Sequence, residues 1–288
     1  MSNREDITKL LIDSDSIAYR AAASAQGAEW VVEDTGSMSV LHRTKYKKDA
    51  VAWVEANVHD DELDNILYTK EFTPEDVSHA LHNIKTMVKG IEDFFPNVTE
   101  HTHYLTGSVN YRDEVATIAP YKGNRDSSNK PYHLPACREF LGTKYGAVIV
   151  EGYEADDACS MAQRNDTCIV SIDKDLNTVP GWHFNWVKQE LYYVTIEEAE
   201  YFFWQQMIQG DTTDNIKGVP RYGEKKAKKV LDEALANGVS LACAVGHLYA
   251  DAYANPESAF EENARLLWMS LEFPNDWSWD LIGDVDED

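Results

Sequence analysis

Three short apolar runs break off into acidic residues, and this pattern restricts the fold more than any other feature of the chain. Leu10-Leu11-Ile12 ends in Asp13, Ala147-Val148-Ile149-Val150 leads into Glu154, Asp156 and Asp157, and Cys168-Ile169-Val170-Ser171-Ile172 ends in Asp173. Continuous apolar runs of this length read as strands buried on both faces, as in a parallel sheet. His103-Tyr104-Leu105-Thr106 is a fourth such run. Ala155 to Gln163 is helical in pattern and links two of the strands, a strand-helix-strand unit. The expectation is an α/β fold with a mostly parallel central sheet and flanking helices.

The remaining elements are read from caps and periodicity. Trp30-Val31-Val32 and Val40-Leu41 flank Asp34-Thr35-Gly36-Ser37 and suit a hairpin, and the chain looks helical from Asp49 onward. Thr73-Pro74-Glu75-Asp76 predicts a helix start with Pro74 in the first position; Val77, Leu81, Ile84, Val88, Ile91 and Phe95 continue it to Pro96. Trp186 and Tyr192 to Val194 read as edge strands, and Thr195-Ile196-Glu197-Glu198 is a capping box opening a helix to about Gln209. Beyond Gly210 the composition is mainly helical, ending in the acidic tail 284–288. The expected division is an α/β core over 1–207 and a helical region over 208–288.

Ligands of an open α/β sheet collect beyond the carboxyl ends of its strands, which is where the acids stand. Glu154 and Asp157 share a helical face, Asp173 and Asp175 share a strand face, and Asp211 and Asp214 form a further i,i+3 pair. Carboxylates crowded together repel one another unless cations lie among them. All-oxygen donors without His or Cys point to hard divalent ions, Mg²⁺ or Mn²⁺. The alternative for each acid alone is a helix cap or a solvated loop, common among 50 acidic residues. Cys137, Cys159, Cys168 and Cys243 form no zinc-type cluster and read as reduced packing residues.

The net charge of −24 argues against tight DNA binding by bulk charge. Basic residues are nevertheless concentrated locally. Lys217, Arg221, Lys225, Lys226, Lys228 and Lys229 are six of the 26 basic residues, and they follow or surround the turn from Gly218 to Gly223. Glycine lets backbone approach a phosphate, and the start of a helix offers free amides to an anion. A charged solvent face is the plain alternative. A second group, Arg112, Lys122, Arg125 and Lys130, surrounds Tyr121-Lys122-Gly123-Asn124-Arg125, where Tyr121 suits stacking on a base. No apolar run reaches bilayer-spanning length, so a soluble cytoplasmic protein is expected, without membrane partners.

In order and spacing the set resembles the metal-dependent 5′-nuclease superfamily of flap endonucleases and polymerase-associated 5′-3′ exonucleases, phage-encoded members above all. The resemblance runs through Leu-Ile-Asp13, Tyr104 to Arg112, Tyr121 to Arg125, Glu154-Ala-Asp-Asp157, Ser171-Ile-Asp-Lys-Asp175 and Gly210 to Pro220. It implies a PIN-like core, a helical arch built from 113–145, and a helix-three-turn-helix over 208–231 with a K⁺ ion held by turn carbonyls. It implies that Asp13, Glu154, Asp156 and Asp157 hold a first Mg²⁺ or Mn²⁺ ion and Asp173, Asp175, Asp211 and Asp214 a second, with Lys122 and Arg125 beside the scissile phosphate. Asp13 and Asp173 would be central to catalysis.

Arg112, Tyr121, Lys217, Gly218, Arg221, Gly223 and Lys225 to Lys229 would contact DNA with 5′ ends, nicks or flaps, or an RNA–DNA hybrid. The implied products carry a 5′-phosphate and a 3′-hydroxyl, and the implied setting is phage replication or recombination by a monomer. One departure stands out: the family usually carries an aspartate where this chain has Gly107. A branched-DNA binder of weakened or lost activity is therefore the alternative.

Overall fold

The computed structural model describes residues 4–126 and 129–282, so the expected acidic tail lies outside the described residues. In chain order the elements are β1 (Lys9–Asp13), α1 (Ser14–Ala23), β2 (Gln26–Asp34), β3 (Ser39–Thr44), α2 (Lys47–Asn57), β4 (Ile66–Pro74), α3 (Val77–Phe94), β5 (Glu100–Asn110), α4 (Tyr111–Val115) and α5 (Leu134–Tyr145). There follow β6 (Val148–Gly152), α6 (Ala155–Ala162), β7 (Thr167–Val170), β8 (Gly181–Asn185), β9 (Glu190–Val194), α7 (Ile196–Gln209), β10 (Gly210–Asp211), β11 (Ile216–Lys217), α8 (Glu224–Ala236), α9 (Leu241–Ala252) and α10 (Pro256–Leu267), with short 3-10 turns between some of them.

Two compact units result. The first comprises 1–17, 88–129 and 141–288, the second 18–87 and 130–140. Strands β1 and β5 to β9 and residues 208–282 all fall in the first unit, so the expected boundary at 207 does not coincide with the division by packing.

The first unit is built on a six-stranded sheet in the order β6-β5-β1-β7-β8-β9, parallel except for β9 against β8. The apolar runs explain its interior. Leu10, Leu11 and Ile12 are fully buried, as are Cys168 and Val170, and Leu11 stands in register with Thr102 on β5 and Ile169 on β7. The chain passes from β1 out through β5 to β6 and returns to the other side of β1 at β7. The switch in direction falls between β1 and β7, and the crevice beyond their carboxyl ends is where such sheets hold ligands.

Helices α7 to α10 pack around Phe203, Trp204, Met207, Leu231, Val245, Tyr249 and Phe260. The Thr195 capping box is present, with the Thr195 hydroxyl accepting from Glu198 N–H at 3.1 Å. Between α7 and α8 the backbone doubles back tightly at β10 and β11. A Cβ on Gly218 would overlap the backbone of Gly210 and Ile208, and Gly210 has a φ of 71°, so both positions need glycine.

The second unit centres on an antiparallel sheet in the order β3-β2-β4, with α2 packed on one face through Val32, Ala50 and Val54. The expected hairpin is β2–β3. The third strand corrects the sequence reading: Pro74 ends β4 opposite Gln26, and α3 begins at Val77, with Asp76 accepting from Ser78 N–H at 2.9 Å. Pairing with β2 therefore prevails over the local helix-start signal at Thr73. Within 113–145, helix covers the end of α4 and all of α5, whereas residues 116–126 carry turns and no helix.

Candidate active site

Asp13 ends β1 and is 5% exposed, beside the switch in strand direction. It accepts a hydrogen bond from Ser171 Oγ at 2.9 Å and from Asp15 N–H at 3.1 Å. Burial, the Asp15 carboxylate and Asp173 push the Asp13 carboxyl up to about 7. Asp156 is raised by burial and by Asp13, Asp173 and Glu154, with Lys122 acting in the opposite sense. Burial also raises Asp173, and burial together with Asp173 lifts Asp175 to about 6. Asp13, Asp156 and Asp173, which lie far apart in sequence, thus share one electrostatic neighbourhood.

A second layer of acids is already neutralised. Tyr121 to Arg125 lie against residues 212 to 215: Lys122 N–H donates to the Asp214 carbonyl at 2.8 Å, Asn124 to Thr212 at 2.6 Å, and Arg125 Nη2 to Asp214 Oδ1 at 2.5 Å. Lys122 Nζ pairs with Glu154 and lies 3.7 Å from Asp214. The Tyr121 hydroxyl lies 2.7 Å from Glu154 and 2.8 Å from Asp214 and can donate its one proton to either. Burial alone would raise Glu154, but Lys122 and Arg112 outweigh it and hold its pKa below the usual range. On the far side Lys174 lies 2.8 Å from Asp175 and 3.2 Å from Asp211; against burial it helps hold the Asp211 carboxyl below the usual range, whereas Asp175 stays raised.

Three expected roles are corrected. Arg112 is 1% exposed and grips Asp157 through both terminal nitrogens at 2.5 and 2.9 Å. Its remaining bonds go to the carbonyls of Leu266 and Trp268, each at 3.0 Å. It has no surface from which to reach a phosphate, and Asp157, wholly buried and also bonded by Ser270 N–H at 3.2 Å, is held as its partner rather than directed at an ion. Tyr121, 9% exposed, offers no face for a base.

Of the basic segment, Lys217, Arg221, Gly223, Lys225, Lys226, Lys228 and Lys229 are exposed and Gly218 is half-buried. Lys228 and Lys229 pair along their own helix with Glu224 at 2.8 Å and Glu233 at 3.6 Å, pairs of small worth that an anion can compete with.

Sequence reasoning missed Asp15, Ser171, Lys174 and Glu151. Asp15 and Lys174 stand next to acids already singled out. Glu151 is tied to Gly107. Residues 107 to 109 of β5 stand opposite Glu151 between the Thr106–Val150 and Asn110–Gly152 pairs, and the Glu151 carboxylate accepts from Ser108 N–H at 3.0 Å and Val109 N–H at 3.3 Å. A Cβ on Gly107 would overlap that carboxylate and the Val150 carbonyl. An aspartate at 107 therefore has no room while Glu151 holds its place. Gly107→Asp is expected to lower stability by about 1–3 kcal/mol; a thermal melt unchanged from wild type would show that the bulge yields freely.

Among the described residues no three acidic, His or Cys side chains already converge as a ready-made metal cage. The donor chemistry nonetheless fits a divalent ion. Asp156 Oδ1 is buried with no hydrogen-bond partner among the described residues, in a pocket whose acids repel one another and whose donors are all oxygens.

No family model matches the chain. Over 131 residues it is 30% identical to the exodeoxyribonuclease of Enterobacteria phage T3 and likewise to the exonuclease of Escherichia phage T7; each match covers 42% of this chain and 43% of the relative. The chain thus matches less than half the length of these curated relatives. In fold it is similar to the T5 D15 protein co-crystallised with metal ions, with a TM-score of 0.53 and 16% identity over 90% of this chain and 88% of that one. The resemblance to the 5′-nuclease superfamily, close to phage exonucleases, is present in both sequence and fold.

Proposed function

We propose that the chain is a divalent-metal-dependent 5′-3′ exonuclease and flap endonuclease that hydrolyses DNA phosphodiesters to 5′-phosphate and 3′-hydroxyl products. The observation that carries this reading is the shared neighbourhood of Asp13, Asp156 and Asp173 at the strand switch, with a buried Asp156 oxygen lacking a hydrogen-bond partner among the described residues. Asp13, Glu154 and Asp156 would hold one ion, and Asp173, Asp175, Asp211 and Asp214 a second. Bound Mg²⁺ or Mn²⁺ would supply positive charge to a phosphoryl group and acidify water.

The chain's own cations do the rest. Lys122 and Arg125, which pair with Glu154 and Asp214, are positioned to exchange those partners for phosphate oxygens and stabilise charge on the leaving oxygen. The Tyr121 hydroxyl orients Glu154 and Asp214. Lys217, Arg221 and Lys225 to Lys229, with the backbone of Gly218 and Gly223, hold the duplex by its phosphates as a helix-three-turn-helix with a K⁺ ion in the turn. Selectivity then follows the shape of 5′ ends, nicks and flaps, RNA–DNA hybrids included, rather than base sequence. A monomer acting in the host cytoplasm during phage replication or recombination fits this role; among the described residues no helix is long and apolar enough to cross a membrane.

The test is incubation with 5′-tailed and nicked DNA in Mg²⁺ or EDTA, with products mapped by size and end chemistry. Cleavage should need the divalent ion and fall by more than about a hundredfold in Asp173→Ala. Cutting that persists in EDTA would sink the proposal.

A further inference from the structure

The second unit carries a basic and aromatic corner that the nuclease reading does not use. Where β3 turns into α2, Lys45, Tyr46, Lys47 and Lys48 are all exposed, and Tyr46 shows 52% of its surface. The Lys45 and Lys48 ammonium groups lie 5.6 and 5.7 Å from the Tyr46 ring centroid, and Lys47 lies 5.1 Å from that of Trp30 on β2. Among the described residues none of these three lysines has a carboxylate within ion-pair distance, whereas Arg43, Lys89, Lys174, Lys228 and Lys229 each do.

In a chain with 50 acids and 26 bases, three lysines within four positions, set against rings instead of carboxylates, leave a locally positive surface. The corner is held in place from beneath. Trp30 and Trp53 pack with the Val32, Ala50 and Val54 core, and His42 stacks on Trp53 at 4.8 Å and 3°.

We infer that this corner binds single-stranded nucleic acid, the lysines facing its phosphates and the Tyr46 ring taking a base. Aromatic faces interleaved with ammonium groups suit unpaired strands, because every base has a face to stack and the backbone a charge to meet. A duplex hides those faces and would leave the ring unused. The inference adds a contact to the proposed nuclease but does not depend on catalysis.

The test is fluorescence anisotropy of the full chain with a labelled oligothymidine and, separately, a blunt hairpin duplex, both in EDTA. Tyr46→Ala should weaken single-strand binding by about fivefold or more and leave duplex binding unchanged, and Tyr46→Phe should keep it. Lys45→Gln, Lys47→Gln and Lys48→Gln together should flatten the log-affinity against log-salt slope by about 2. Single-strand affinity equal to wild type in both, or an equal loss on the duplex, overturns the inference. Cleavage of nicked DNA in Mg²⁺ is scored apart, so a wild-type chain that never cuts yet loses the oligothymidine on Tyr46→Ala overturns only the nuclease reading.

Discussion

Arg112→Leu is expected to lower the melting temperature by roughly 10 °C or to prevent folding. The substitution leaves the Asp157 carboxylate with none of its guanidinium partners in a site fully closed to solvent, and breaking a buried pair from one side costs about 3–5 kcal/mol. The carbonyls of Leu266 and Trp268 lose their donor at the same time. Replacing both partners, Arg112→Leu with Asp157→Leu, should recover much of the loss, because no uncompensated charge then remains. Thermal denaturation followed by circular dichroism reads both. If Arg112 were instead a phosphate contact, the single variant would melt like wild type and only DNA affinity would fall.

That pair also marks where the sequence stops being informative. In one dimension Arg112 is a cation among other cations, and Asp157 one of three acids in Glu154-Ala-Asp-Asp157. Nothing local says that α10 and the turn after it, some 150 positions later, supply carbonyls that bury the guanidinium. Burial of a charge is a tertiary property, and the spacing that made Asp157 look like a ligand equally serves a capping box: its carboxylate accepts from Glu154 N–H at 3.1 Å.

What could be read locally was the position of acids after apolar runs. Asp13, Asp156 and Asp173 come within electrostatic reach of one another because parallel strands in register bring their carboxyl ends to one edge, and the hydrophobicity of Leu10 to Ile12 and Cys168 to Val170 already dictates such strands. The strand β4 was hidden for the opposite reason. Its Thr73-Pro74 is a helix start in isolation, and only the ladder to β2 makes it the end of a strand. Glu151 could have been noticed only by knowing that Gly107 lies across from it in the β5–β6 bulge.

Asp13→Asn is expected to stabilise the metal-free protein at pH 8 and to leave it no more stable than wild type at pH 5. The folded-state pKa of Asp13 is raised from 3.8 to about 7, chiefly by burial, then by Asp15. A carboxyl raised in this way favours the folded state fully below its unfolded value near 4, and that contribution is lost as pH rises through about 7. At pH 5 the wild-type group is protonated and asparagine brings no electrostatic relief; at pH 8 asparagine removes a buried charge that wild type must carry beside Asp15 and Asp173. A shift of this size corresponds to about 4 kcal/mol. The variant minus wild-type difference in melting temperature, measured in EDTA from pH 5 to 8, should therefore climb by several degrees between pH 5 and about 7 and level off above it. Added Mn²⁺ should raise the wild-type melt at pH 8 more than at pH 5, since only the ionised carboxylates attract it, and should do little for the variant. A flat difference between pH 5 and pH 8 would mean that Asp13 carries its charge in ordinary solvent, and the carboxylate cluster at the strand switch would then lose its electrostatic basis.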